Sequence, residues 1–509
     1  MLSVHRRVFA SLIVVAVAGV CASGCARRNQ PADGPVTLRI GLGAPQGNVG
    51  TGADAVVKLL MTDPWLTNRP DGRLAERVAS GWTWVDGGTT LRLKIRPDVY
   101  FHDGTQLTPE IAAQALRVTA ANPRRETLSF TSVGSIVASG PDTLDIKLTE
   151  PNAFVLTDLS GVIVLKPVPK GQPAVGTGPF QVVSRSGQDV SLSAFPRYFR
   201  GRPGISAIEV TNYPTQRKAW AAMMRGEIDM LHEVSREAAE FVEAEKTVKT
   251  YSFPRPYYIP LVFSLRHPVL KQIEVRKAIN EALDRAVLVH DGLNGRGRMA
   301  DGPIWPQHWA YSPPKEPFIF NPNSARQRLD RAGLTEKPRA DGTVPARFSF
   351  TCLVFANDTR FDRLAVLVQK QLADVGIDMK LLPLPQQELG KRIAAGDFDA
   401  FLFEMAGRSL GWVYEFWRSH EGSRNNTGYR SADAVLDRIK SALSDDETRA
   451  AVAELDRVLH DDPPAAFVAW QEMSRAVSIK FDVAAEENRD VLSNLWQWRP
   501  AGATKQASR

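Results

Sequence analysis

Residues 89–96 read TTLRLKIR. Leu91, Leu93 and Ile95 alternate with Arg92, Lys94 and Arg96, so an extended chain there has one apolar and one cationic face. That pattern predicts a half-buried strand. Residues 82–85 (WTWV) precede it across Asp86-Gly87-Gly88, and Asp-Gly supplies the positive φ angles of a tight hairpin turn. A second turn is predicted at His102-Asp103-Gly104. Thr108-Pro109-Glu110 then opens a helix with a capping hydroxyl and a proline at its first position. Alternation also predicts strands over 36–42 (VTLRIGL) and 142–148 (DTLDIKL). Residues 160–168 are apolar and strand-like, 251–264 form a longer extended segment joining two halves, and 465–470 form a late strand.

Helical spacing appears elsewhere. Residues 53–61 predict a helix ended by Asp63-Pro64-Trp65. Residues 274–290 place Val275, Ile279, Ala282, Leu283 and Ala286 on one side, with Gly292 as the stop. Residues 362–376 put Leu364, Leu367, Val368, Leu372 and Val375 on one face. Residues 432–440 and 447–460 predict two more helices.

Two stretches echo each other. Residues 205–230 and 377–400 each run from an alternating strand through a proline-bearing turn to a helix. Each helix stops at a glycine (Gly226, Gly396), and an acidic-x-Asp strand start follows. Each is a strand–helix–strand unit with a right-handed parallel crossover. Two such units far apart in the chain imply two α/β lobes of related build, not a short-period repeat.

Composition adds the scale and the compartment. The chain has 509 residues, with 43% hydrophobic and 23% charged positions, enough for two or three cores. Arg6 and Arg7 precede an apolar run too short to span a membrane comfortably, and Ala22-Ser23-Gly24-Cys25 resembles a lipobox. The expectation is a leader over 1–24, lipidation at Cys25 and a tether over 25–35. A plain signal peptide cut nearby is the alternative. Besides Cys21 in the leader and Cys25, only Cys352 remains, so no internal disulfide and no cysteine zinc site are expected. The net charge of +7 is spread along the chain without a basic block, which excludes a nucleic-acid signal. The eight histidines show no metal-ligating spacing. No cofactor is expected.

The string LAERVASGWTWVDGGTTLRLKIRPDVYFHDGT (residues 74–105) is one of several motifs that occur in a consistent order. The others are AVGTGPFQVV (174–183), RYFRG (197–201), VRKAINEALDR (275–285) and NPNSARQRLDRAG (321–333). Together they resemble the family 5 extracellular solute-binding proteins that serve ABC importers of the oligopeptide, dipeptide and nickel type. The resemblance runs from about residue 36 to about residue 470. It implies a two-lobe α/β fold of the type II periplasmic-binding-protein class. A first lobe would span 36–252, with a hairpin sub-domain at about 74–170, and a second lobe 253–477. Residues 478–509 would return to the first. It further implies a monomer that binds without catalysis, anchored by lipid on the outer face of the cytoplasmic membrane. Such a protein hands a peptide or peptide-like solute to a permease and its ATPase.

Aromatic density in 251–263 and 412–417 marks candidate walls of a solute cleft: Tyr257, Tyr258 and Trp412. In peptide binders of the family an aspartate that pairs with the peptide's α-ammonium lies just beyond the strand matched by 399–403. Stepping that motif onto this chain places Arg408 there, with Glu404 and Glu415 as nearby acids. A guanidinium repels an amino terminus and attracts a carboxylate or phosphate, so a non-peptide anion is the competing solute class. A rival from another class is an esterase. Gly407-Arg408-Ser409-Leu410-Gly411 fits G-x-S-x-G, and Asp433 or Asp437 followed by His460 supplies a triad order. No oxyanion segment precedes it. His102-Asp103 reads as a turn, not as a catalytic dyad.

Overall fold

A computed structural model describes residues 35–43, 51–121, 125–187, 189–234, 238–337, 340, 344–356, 358–419 and 425–502. The expected leader, Cys25 and most of the tether lie outside these residues. One long mixed sheet runs through the molecule. From one edge its strands are Ile377–Leu384, Phe348–Phe355, Ala400–Leu402, Val248–Phe263, Ala465–Ser478, Met230–Leu231, Thr37–Gly43, Ala207–Tyr213, Asp189–Ala194 and Phe180–Ser186.

The echo seen in the sequence is an echo in space. Ala207–Tyr213 and Met230–Leu231, joined by the helix Gln216–Met224, lie parallel on either side of Thr37–Gly43. Ile377–Leu384 and Ala400–Leu402, joined by the helix Gln386–Ala395, lie parallel on either side of Phe348–Phe355. Both crossovers skip one strand, and each lobe is built around such a unit. Gly396 ends its helix at φ 73, where a side chain would be strained.

Two long antiparallel strands join the lobes. Val248–Phe253 pairs with Met473–Ser478 on the first-lobe side, and Tyr258–Val262 pairs with Ala465–Trp470 on the second. The register shifts between Pro254 and Tyr258, where Pro254 and Pro256 cannot donate to a ladder. The expected late strand is therefore longer than its apolar start, because its second half turns amphipathic as it enters the other lobe.

The hairpin pattern at 82–96 forms as read. Ala79–Val85 and Thr90–Ile95 join Thr143–Leu148 and Val133–Ala138 in a four-stranded antiparallel sheet. Leu91, Leu93 and Ile95 are buried under the helix Pro109–Ala121, while Arg92 stays outside and pairs with Asp145 at 2.7 Å. The connecting turn holds Asp86, Gly87 and Gly88 all at positive φ.

Two expectations need correction. Residues 160–168 do not form a strand; they touch neighbours through isolated bridges at Ile163 and Leu165. The helix expected over 274–290 is broken. Ile273–Ala282 stops at Leu283, which is extended, and Asp284 caps a new short helix by accepting from the Val287 amide. Apolar periodicity continues across this break, which is why it does not show as a boundary.

Three of the motifs that carry the family resemblance, 74–105, 174–183 and 197–201, meet in one buried knot. Asp63 is fully buried. Its Oδ1 accepts from Arg77 Nε at 2.6 Å and from the Tyr198 hydroxyl at 3.1 Å. His102 is bonded to the Gly178 carbonyl through Nε2 at 3.0 Å, and its amide donates to Gly176 O. Burial holds its imidazole below the ordinary range. Asp103 faces away and pairs with Lys166 at 2.6 Å. These stretches dock the hairpin sub-domain onto the helix Thr51–Met61; none of their knot residues borders the solute cleft described next.

Candidate functional site

Between the lobes lies a cleft of about 560 Å³, within the range of small-molecule sites. Its floor is the irregular part of the crossing strands, where Phe253, Pro254, Arg255, Pro256, Met473 and Arg475 are exposed to it. The first-lobe wall comes from the helix Thr51–Met61, the loop 68–72 and residues 488–493. The second-lobe wall comes from Trp305, Gln307 and Arg408.

The loop 68–72 is the tip of a small hairpin, Leu66–Asn68 paired with Leu74–Glu76. Arg69-Pro70-Asp71-Gly72 is its turn. Pro70 presets the bend, and the Gly72 amide donates to Arg69 O at 2.9 Å. Gly72 has φ 76, and a Cβ there would sit 3.0 Å from His308 Cα. The tip thus presses on the second lobe through backbone. Arg73 follows it across, pairing with Asp445 at 2.8 Å and lying 4.5 Å over Trp309. On the far side of the sub-domain, Lys440 pairs with Glu150 at 2.6 Å and Phe154 meets Tyr414 edge-on at 5.4 Å.

The cleft is cationic. Arg69, Arg255, Arg408, Arg475 and Arg489 line it, against one lining carboxylate, Asp490, among the described residues. Three of the arginines are committed. Arg475 is buried and bidentate on Asp490, at 2.6 and 2.5 Å. Arg489 holds Glu486 and Asn68 O. Arg255 stacks at 4.5 Å over Tyr257, donates to Gln471 and lies 3.7 Å from Glu404. Arg69 and Arg408 form no ion pair or side-chain hydrogen bond among the described residues; Arg408 lies 5.9 Å over Trp412, and its charge acts on the buried Asp158 carboxyl. His232, also in the lining, is held well below its ordinary range by loss of solvent and by Arg475 and Arg255. It adds no charge at neutral pH.

Of the residues expected at the site, Arg408 lies in the lining. Tyr258 does not: it is fully buried, and its hydroxyl accepts from Trp417 Nε1 at 2.9 Å. The register shift after Pro254 turns Tyr258 into the core. Tyr257 is half-buried and supports Arg255 from the strand next to the floor. Trp412 is half-buried behind Arg408, stacked near Phe416 at 5.7 Å. Glu404, an alternative acid, is held by Gln471 at 2.8 Å. The residues the sequence reading missed are Arg69, Arg255, Arg475 and Trp305. For Arg69 the N-R-P-D-G string was a legible turn signal; for the others no local signal exists.

The G-x-S-x-G string has another explanation. A side chain on Gly407 would lie 2.5 Å from Trp470, and one on Gly411 would meet Phe154 and Asp158. Both glycines are packing glycines. Ser409 has φ −143 and ψ 160, a relaxed extended residue before the helix Leu410–Trp417 instead of a strained elbow. Asp437 is taken by Arg418, Asp433 by Ser419, and His460 stacks on Phe318 at 4.6 Å.

Asp158 sits where the lobes touch, bonded to Ser129 at 2.5 Å beneath Gly411. Desolvation pushes its carboxyl up from 3.8 to about 7, against Ser129 and Arg408. A raised carboxyl contributes stability that is complete below pH 3.8 and is lost as pH rises toward 7. Asp158→Asn should flatten that loss. Thermal midpoints of the two proteins are expected to diverge in favour of the variant between pH 4 and pH 7, and a constant gap would refute this.

The family model for bacterial extracellular solute-binding proteins, family 5 Middle, matches residues 73–428. The chain belongs to this family. This family 5 protein is 25% identical over 449 residues to the oligopeptide-binding protein AppA of Bacillus subtilis (strain 168), covering 81% of each chain. Among solved structures, NikA from Brucella suis in complex with Fe(III)-EDTA matches with TM-score 0.79 and 20% identity, over 91% of this chain and 99% of that one. AgaA from A. tumefacien R10, in complex with agropinic acid, matches with TM-score 0.71 and 19% identity, over 92% and 99%. The family is one of extracellular proteins, and no helix among the described residues is long and apolar enough to cross a membrane. The two-lobe type II fold is that of these neighbours.

Proposed function

We propose that this family 5 protein captures a small organic solute bearing an anionic group and delivers it to the permease of an ABC importer. Lipid at Cys25 would hold it on the outer face of the cytoplasmic membrane. One observation carries the solute class: among the described residues Arg69 and Arg408 line the cleft without an ion-pair partner, while the one lining carboxylate already serves Arg475. Neighbours of this fold hold cargoes as different as Fe(III)-EDTA and agropinic acid, so the fold does not choose among them. The charges do. The relation to an oligopeptide-binding protein favours peptides as the second reading. A peptide would meet this cleft with its carboxylate end, since an α-ammonium finds no free acid in the lining.

The test is a thermal-shift screen on protein starting after Cys25, with organic anions, metal chelates, short peptides and sugars. A solute at ~100 times its dissociation constant stabilises the bound form by roughly 2.7 kcal/mol. Organic anions are expected to shift the wild type, and Arg408→Ala is expected to remove the shift. Response to neutral sugars alone would sink the anion reading. Response to peptides that persists in Arg408→Ala would transfer it to the second.

A further inference from the structure

We infer that Arg69 and Arg408 form a pair of specificity-determining residues, one on each lobe, that together select a solute with two separated anionic groups. This rests on the anion reading above and goes further, to the number and placement of charges.

The two guanidiniums reach the cleft from opposite walls. Arg408 follows the short strand Met405–Ala406 of the second lobe, with Gly407 clamped between Trp470 and the Pro256 carbonyl, to which its amide donates at 2.9 Å. Arg69 begins the hairpin tip of the first lobe. Neither forms an ion pair with a carboxylate among the described residues, although the buried Asp158 carboxyl feels the charge of Arg408, while the remaining lining arginines are paired. Two like charges lining one cleft from opposite walls repel, and this disfavours its closure. A monoanion relieves one of them and leaves the other. A dianion relieves both and spans the gap. Trp305, Phe253 and Met473 line the same cleft, so the spacer between the anionic groups would meet apolar surface.

The position of Arg69 is tied to closure. Its turn is rigid, and the same tip lies against His308 and carries Arg73 onto Asp445 and Trp309 of the other lobe. Trp309 also receives Arg449 at 5.2 Å, which holds the indole in place. When the tip docks, Arg69 is delivered to the cleft. Arg73 is thus a positioning residue for the second anchor, and Arg69 itself touches the solute.

The experiment is isothermal titration of the wild-type mature protein with glutarate, adipate and phthalate, each beside its monomethyl ester. At least one diacid is expected to bind about 10- to 100-fold tighter than its monoester, the range for a charge-assisted contact. Arg69→Ala and Arg408→Ala should each collapse that ratio to near one. Arg69→Lys should keep part of it, because charge remains while the planar fork is lost. Arg73→Ala should weaken the diacid more than the monoester and so lower the ratio, though less than Arg69→Ala does. Both anchor residues are exposed, so their variants fold. Monoesters that bind as tightly as diacids overturn the inference and leave the anion reading standing. So does an Arg69→Ala protein with the wild-type ratio. Failure of every diacid and every monoester overturns both.

Discussion

An Arg77→Met protein is expected to be about 3–5 kcal/mol less stable than wild type, the cost of removing one partner of a buried ion pair. The cause lies in Asp63. Its carboxylate is shut off from solvent, with Arg77 Nε at 2.6 Å and the Tyr198 hydroxyl at 3.1 Å; its other oxygen has no hydrogen-bond partner among the described residues. Without the guanidinium, that charge is left in low dielectric with one hydroxyl donor. The folded protein then holds Asp63 protonated, at a pKa above that of the unfolded chain. Stability from such a group is full below the unfolded pKa and declines as pH rises, so the defect should be smallest in acid. Asp63→Asn in the Arg77→Met background removes the stranded charge and should restore part of the loss. Urea midpoints of the two single variants, the double variant and wild type decide it. A double variant no more stable than Arg77→Met alone would mean the charge is not the cause.

Gly176→Ala and Gly178→Ala should each destabilise the protein by about 3 kcal/mol, at the upper end for overpacking. Neither glycine has a positive φ, so conformational freedom is not what they supply. They supply approach. A Cβ on Gly176 would lie 1.9 Å from Met61 O, and one on Gly178 would lie 2.5 Å from Met61 C and Thr62 N. These are backbone atoms at the end of the helix Thr51–Met61, and they cannot swing away. The helix must move, and with it Ala55 and Leu59 in the cleft wall. Solute affinity should therefore fall together with stability. Gly134→Ala is the control: its Cβ would stand 3.5 Å from Thr149 Cγ2, ordinary contact, and should cost less than ~1 kcal/mol. Equal losses at positions 134 and 176 would refute the argument from close approach.

These two predictions explain why the most recognisable stretches of the chain are remote from the chemistry. Arg77, His102, Gly176, Gly178 and Tyr198 come from three separate motifs and converge on the Asp63 knot. They hold the scaffold in one arrangement. The solute meets other residues.

Local pattern by itself determined a good deal. Alternation at Leu91, Leu93 and Ile95 set the hairpin's buried face, because side chains on a strand point to opposite sides. The glycine stops and acidic strand starts at 226–230 and 396–400 marked two matching crossovers before any contact was known. The charge at Arg408 was legible as a departure from a motif. Tertiary structure alone decided the rest. Tyr258 and Arg255 are three residues apart, yet one is core and the other borders the cleft, since a register shift between them re-aims the strand. Arg475 and Asp490 neutralise each other, as do Arg489 and Glu486, while Arg69 and Arg408 form no such ion pair among the described residues. Whether an arginine is free to meet a solute depends on which carboxylates the fold brings within hydrogen-bond reach. That is a property of long-range packing, which the period of a strand or helix does not encode.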